Sequence, residues 1–170
     1  MKVFYALTFD ETSRNALHRL ALSLAPHSWM GRPTRIELLH LTLLFLGEVD
    51  YGAVKPLEDL LDTLIPIPTA YTCSAIGSFA RRPDRILWAA IEPGEPLIAT
   101  NRHLAQAVDA LGYPFDPSPL TAHVTLVRKA KKVTALPFTP FGVRAEQIVL
   151  MHSCIQRGQL VYTPLATRSL

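Results

Sequence analysis

One tetrapeptide pattern occurs twice, as His40-Leu41-Thr42-Leu43 and as His123-Val124-Thr125-Leu126. Both copies sit inside apolar runs, Leu38 to Leu46 before Gly47 and Ala122 to Val127 after a proline-rich segment. Nine residues with seven apolar, stopped by glycine, read as a buried strand rather than a helix. On a strand, residues i and i+2 share a face, so each copy presents one imidazole and one hydroxyl together while its aliphatic residues face a core. Six histidines and the abundance of Thr and apolar residues give a chance expectation of roughly 0.1 such tetrapeptides per chain. Two copies therefore constrain the fold: two apolar strands must each turn a His and a Thr the same way.

The rest of the chain supplies a frame with a two-fold rhythm. Met1 to Phe9 reads as a strand, and Asp10 to Ser13 offers a cap for a helix over 10–26, with Leu17, Leu20, Ala21 and Leu24 on one stripe. A second helix is predicted from Gly52 to Ile65, and Tyr71 to Phe79 with Ile86 to Ile91 form a hairpin around Arg81-Arg82-Pro83-Asp84. A third helix is predicted over Pro96 to Leu111, ending at Gly112. Ile148 to Ile155 and Leu160 to Leu165 are strands around Arg157-Gly158-Gln159. A helix and a proline-bearing loop precede each histidine strand. The expected fold is α+β over one domain, 1–170: two pseudo-two-fold related lobes, each an antiparallel sheet with helices on its outer face, around a central cleft.

Composition narrows the partners. At 170 residues, with 49% hydrophobic and 18% charged, the chain can bury its own core without staples. Cys73 and Cys154 form no C-x-x-C pair, which suggests neither a disulfide framework nor a cysteine zinc site and fits a reducing, cytoplasmic setting. No apolar run approaches a membrane span, so no membrane partner is expected. The net charge of +3 is uneven: residues 128–170 hold 7 basic groups against 1 acidic, beginning with Arg128-Lys129 and Lys131-Lys132. A polyanion such as nucleic acid is the partner such asymmetry favours, although a short solvated basic loop has the same composition.

Two imidazoles and two hydroxyls, with no third clustered ligand for a metal, suit general acid–base chemistry. A neutral His can activate a hydroxyl while a protonated one donates to a leaving oxygen, and the ordinary His pKa lets both forms coexist. In-line displacement at a phosphodiester uses such a pair, one on each side of phosphorus.

These motifs resemble the two-histidine phosphoesterase superfamily. Phe4-Tyr5-Ala6-Leu7, the Phe45-Leu46-Gly47-Glu48-Val49 that follows the first motif, Arg128 after the second and Tyr162-Thr163-Pro164-Leu165 are similar to its RNA 2′,3′-cyclic phosphodiesterase branch, also called the bacterial 2′-5′ RNA ligase family. The resemblance implies that His40 donates a proton to the leaving ribose oxygen, that His123 activates water, and that Thr42, Thr125 and Arg128 bind the phosphate. It further implies a 2′-phosphate product, no metal or other cofactor, and RNA ends or nucleotides with a 2′,3′-cyclic phosphate as partners, with 2′-5′ joining of RNA as a second activity; the chain is expected to be a monomer. Family members carry proline directly before the second His, whereas Thr121-Ala122 precede His123 here. Strict alternation puts Arg128, five residues past His123, on the opposite face, so a bulge or the strand end must re-aim it. Phe4, Tyr5 and Phe45 are candidates to stack a base or to fill the core. Two other readings remain open: a non-catalytic binder of RNA ends, and a relative acting on 2′-5′ oligonucleotides or other small cyclic phosphodiesters.

Overall fold

The computed structural model describes residues 1–131 and 138–170. Eight strands, β1 (Lys2–Phe9), β2 (Arg32–Pro33), β3 (Leu41–Glu48), β4 (Ala70–Arg81), β5 (Asp84–Ile91), β6 (His123–Ala130), β7 (Phe141–Gln156) and β8 (Gln159–Ser169), pair antiparallel. The helices are α1 (Glu11–Leu24), α2 (Val54–Asp59) and α3 (Gly94–Ala110). This is the expected α+β class.

The two lobes are halves of one hydrogen-bonded sheet. In the first half, β1 lies between β3 and β7, with β8 outside β7. In the second, β5 lies between β4 and β6, with the short β2 outside β6. The 16-residue β7 joins them, because Phe141 to Arg144 pair with β4 while Ala145 to Ser153 pair with β1. On the other side the halves meet at a single bridge, Leu41 opposite Val124.

Alternation in β1 explains how the frame faces two ways. Val3, Tyr5, Leu7 and Phe9 are fully buried in the main core. Phe4, between them, turns to the opposite side and lines the cleft. The Tyr5 hydroxyl donates to the Leu57 carbonyl at 2.6 Å, so β1 is tied through the core to α2.

Asp10 caps α1 by accepting from the Ser13 amide at 2.8 Å, and Leu17, Ala21 and Leu24 form its buried stripe. The Ser13 hydroxyl in turn accepts the Arg144 amide at 2.7 Å, fixing α1 on β7. Leu97, Leu104 and Val108 form the buried stripe of α3, and Asn101 Nδ2 donates to the Leu43 carbonyl at 2.7 Å, holding α3 to β3. Gly112, at φ +76°, ends that segment in the left-handed conformation that suits glycine.

Several elements differ from expectation: β7 begins at Phe141 instead of near Ile148, and Arg32–Pro33, read as loop, form the short β2. The helix expected over 52–65 is α for only Val54–Asp59, with 3₁₀ turns at Tyr51–Ala53 and Leu60–Thr63. Its apolar stripe survives, but the Leu57 and Leu61 carbonyls accept from Tyr5 and Arg168 instead of serving only a helical ladder. The strand expected to begin at Leu38 begins at Leu41, after a 3₁₀ turn over Ile36–Leu38. Replacing Tyr5 with Phe strands the buried Leu57 carbonyl and is expected to lower unfolding free energy by about 1–2 kcal/mol, read from the denaturant midpoint at unchanged m-value.

Candidate active site

The bridge between Leu41 and Val124 organises the site. One step to either side in this antiparallel register sets His40 abreast of Thr125 and Thr42 abreast of His123, with all four on the face opposite the buried Leu41 and Val124. All four line one cavity of about 470 Å³. The doubled motif is thus a quartet meeting across the junction of the halves. His18, His27, His103 and His152 are not among the residues lining this cavity.

Both imidazoles are oriented by the same local device. His40 Nδ1 donates to the Leu38 carbonyl at 2.8 Å, and His123 Nδ1 donates to the Thr121 carbonyl at 2.6 Å. A carbonyl can only accept, so the proton of each neutral ring sits on Nδ1 and Nε2 is left free to accept. His40 Nε2 meets the Thr42 hydroxyl at 3.1 Å. This bond to the carbonyl two residues back also explains the late start of β3, since the chain at 38–40 must curl to bring that oxygen under the ring. Where the family carries proline, Ala122 accepts the Ile91 amide at 3.0 Å, which fixes the start of β6 by a backbone bond.

Each ring also packs against a pair of aromatic groups that contact one another. Phe4 and Tyr162 stand 5.0 and 5.1 Å from His40, centroid to centroid, and Phe79 and Trp88 stand 5.0 and 5.7 Å from His123. Trp88 stacks on Phe79 at 4.9 Å and lies over Gly77. A Cβ at Gly77 would come within 2.2 Å of the Trp88 ring, so only glycine leaves room for it. Of the aromatic candidates, Phe4 and the 40% exposed Phe45 line the cavity, whereas Tyr5 is core. Phe79 and Trp88 were not legible as site residues, because nothing in sequence ties the β4–β5 hairpin to His123.

Arg128 reaches the cavity because β6 is bulged. Trp88 pairs with Thr125 but Leu87 with Val127, and both Leu126 and Val127 are buried. The extra residue inverts the alternation, and Arg128 emerges on the same side as His123 and Thr125. Lys129 and Lys131 are exposed beside it, and Lys132 lies outside the described residues.

Burial pushes the His40 pKa down to about 4, against the hydrogen bond to Leu38, which raises it; Arg128 and His123 lower it further. The His123 pKa is also lowered, first by burial and then by Arg128. At neutral pH the cavity therefore holds two neutral rings beside one guanidinium. Among the described residues no group of three or more His, Cys, Asp or Glu is placed to hold a metal ion. In a ¹H–¹⁵N titration His40 should protonate near pH 4, well below the ordinary 6.5, and adding inorganic phosphate should move that midpoint upward. A midpoint near 6.5 would contradict the buried environment described here.

The profile of the LigT like Phosphoesterase family matches residues 7–88. An RNA 2′,3′-cyclic phosphodiesterase of Escherichia coli (strain K12) is 29% identical over 168 residues, covering 96% of this chain and 93% of that protein. One of Thermus thermophilus is 28% identical over 187 aligned positions, covering 100% and 90%. Among solved structures, E. coli LigT complexed with NADP+ is 30% identical, covers 99% of this chain and 96% of its own, and superimposes with a TM-score of 0.77. With the fold, the paired motif and these similarities in agreement, the chain belongs to the LigT-like phosphoesterase family.

Proposed function

We propose that this protein hydrolyses 2′,3′-cyclic phosphate ends of RNA or nucleotides to 2′-phosphates. The observation that carries the reading is the pair of identically anchored imidazoles, each with Nε2 unprotonated in the neutral ring, sharing one cavity with Thr42, Thr125 and Arg128. Relatives named RNA 2′,3′-cyclic phosphodiesterase support it.

The chemistry follows from the proton positions. His123 Nε2 takes a proton from water as the water oxygen attacks phosphorus in line. The bond from phosphorus to the 3′ oxygen breaks, and His40 delivers its Nε2 proton to that oxygen, leaving the phosphate on the 2′ oxygen. Thr42, Thr125 and Arg128 hold the non-bridging oxygens, the guanidinium as a fixed positive fork.

Charging His40 in its buried position is unfavourable by about 3 kcal/mol relative to a free imidazole, from its displacement to about pH 4. A phosphodiester anion about 4 Å away contributes about 4 kcal/mol at an effective dielectric of 20. The substrate's negative charge thus offsets the burial that disfavours charged His40 and favours its acid form. A 5′-hydroxyl in place of water, deprotonated by His123 in the same position, would give 2′-5′ joining by the same steps.

A monomeric enzyme acting as a single two-lobed unit over 1–170, placed in the cytoplasm, completes the proposal. No described helix is long and apolar enough to cross a membrane, and Cys73 and Cys154 are free thiols.

Purified protein should open 2′,3′-cyclic AMP to 2′-AMP at an undiminished rate in EDTA. Activity that disappears in chelator and returns with zinc would overturn the proposed chemistry. His40→Ala and His123→Ala should each reduce kcat by at least about a hundredfold, with circular dichroism unchanged. Near-normal turnover in either variant would contradict the assignment.

A further inference from the structure

A second cavity, of about 410 Å³, adjoins the first. Arg128 lines both, and the two lie side by side along two segments: Leu38 and Leu160 line the second, while His40 and Tyr162, two residues on in each case, line the first. Its chemistry differs from that of the catalytic cavity. Pro33, Leu38 and Leu160 supply apolar surface, and Arg32, Arg128 and Lys129 supply the cationic rim.

Three local features build this arrangement. Arg32 pairs with Arg128 across the β2–β6 ladder, so two guanidinium side chains start from directly opposed backbone positions, which like charges avoid without an anion to share. Lys129 holds a left-handed backbone at φ +58°, unusual for a long side chain, and this turns it toward the same cavity as its neighbour Arg128 instead of away from it. Thr34, only 6% exposed, lines the cavity with its hydroxyl buried and without a partner. The guanidinium of Arg35, by contrast, is already committed to Gln159 and the Leu160 carbonyl, and serves to hold β8 against this wall.

An RNA whose cyclic phosphate lies between the two histidines must leave the site through the 5′ oxygen of its last ribose. We infer that the second cavity is the subsite for the preceding nucleotide. Its base rests on Pro33, Leu38 and Leu160, and the phosphate linking it to the terminal ribose lies between Arg32, Arg128 and Lys129. The catalytic cavity alone accepts a mononucleotide; the second makes the end of an oligonucleotide the better substrate. This inference rests on the proposed function, and its test separates the two.

The test compares 2′,3′-cyclic AMP with the dinucleotide ApA carrying the same cyclic end. The dinucleotide should show about tenfold higher kcat/KM, chiefly through KM. Arg32→Ala, at an exposed position outside the catalytic cavity, should remove most of that advantage while mononucleotide turnover stays unchanged. The advantage should shrink between 50 and 300 mM salt, since it depends on phosphate contacts. Equal kcat/KM for the two substrates, or an equal loss on both in Arg32→Ala, would overturn the subsite. Turnover of neither substrate would overturn the proposed function instead, and binding then decides the subsite. ApA with a 2′-phosphate should bind about tenfold more tightly than 2′-AMP, and Arg32→Ala should equalise them. Competition by hexaglutamate as effective as that by the dinucleotide would reduce the cavity to a charged surface and contradict a nucleotide site.

Discussion

The two halves of the sheet meet at one backbone bridge, Leu41 opposite Val124, and the site depends on it. The aliphatic pair is buried on one face; the four polar side chains one step away are turned to the other. A slip of one residue at this contact would put imidazoles into the core and leucines into the cleft, at a cost of several kcal/mol for each buried polar group left unpaired. Packing of Leu41, Leu43, Val124 and Leu126 therefore sets the relative position of the histidines. The remainder of the fold holds this contact in place: β7 joins the halves on the far side, and α3 is tied to β3 through Asn101.

Around the bridge, each half treats its histidine alike. A backbone carbonyl two residues earlier fixes the Nδ1 proton, and two aromatic rings pack against the imidazole. The similarity is chemical rather than residue by residue: Phe and Tyr flank one ring, Phe and Trp the other. The departure from symmetry lies in charge. Arg128 comes from the second half alone, yet it acts electrostatically on both histidines and on Tyr162. A pair of nearly equivalent imidazoles thereby acquires one cationic side.

The fold class and the histidine quartet were legible in the sequence because both follow from short-range pattern: period-2 alternation, capped helices and a repeated tetrapeptide. Three things were not. The meeting of His40 with Thr125 and of Thr42 with His123 is a register between strands more than 80 residues apart, which no local pattern encodes. The place of Arg128 depends on a bulge whose only trace is two adjacent apolar residues, Leu126 and Val127, where alternation calls for one. Trp88 reaches His123 because its cross-strand neighbour is Gly77, and that pairing is visible only once the β4–β5 hairpin is in register. The segment 52–65 shows the opposite limit: its apolar spacing was correct, but tertiary hydrogen bonds from Tyr5 and Arg168 decided how much of it stayed α-helical.

The central claim is that His123 and His40 act as base and acid on the same phosphorus. The pH dependence of kcat/KM on 2′,3′-cyclic AMP in the two histidine variants tests it most directly, because a base must be neutral and an acid protonated. The wild-type profile should be bell-shaped and centred below pH 6.5, since both folded-state pKa values are lowered. Residual activity of His123→Ala should lose the rise on the acid limb, and that of His40→Ala should lose the fall on the alkaline limb. A profile in which both variants keep both limbs would contradict the account.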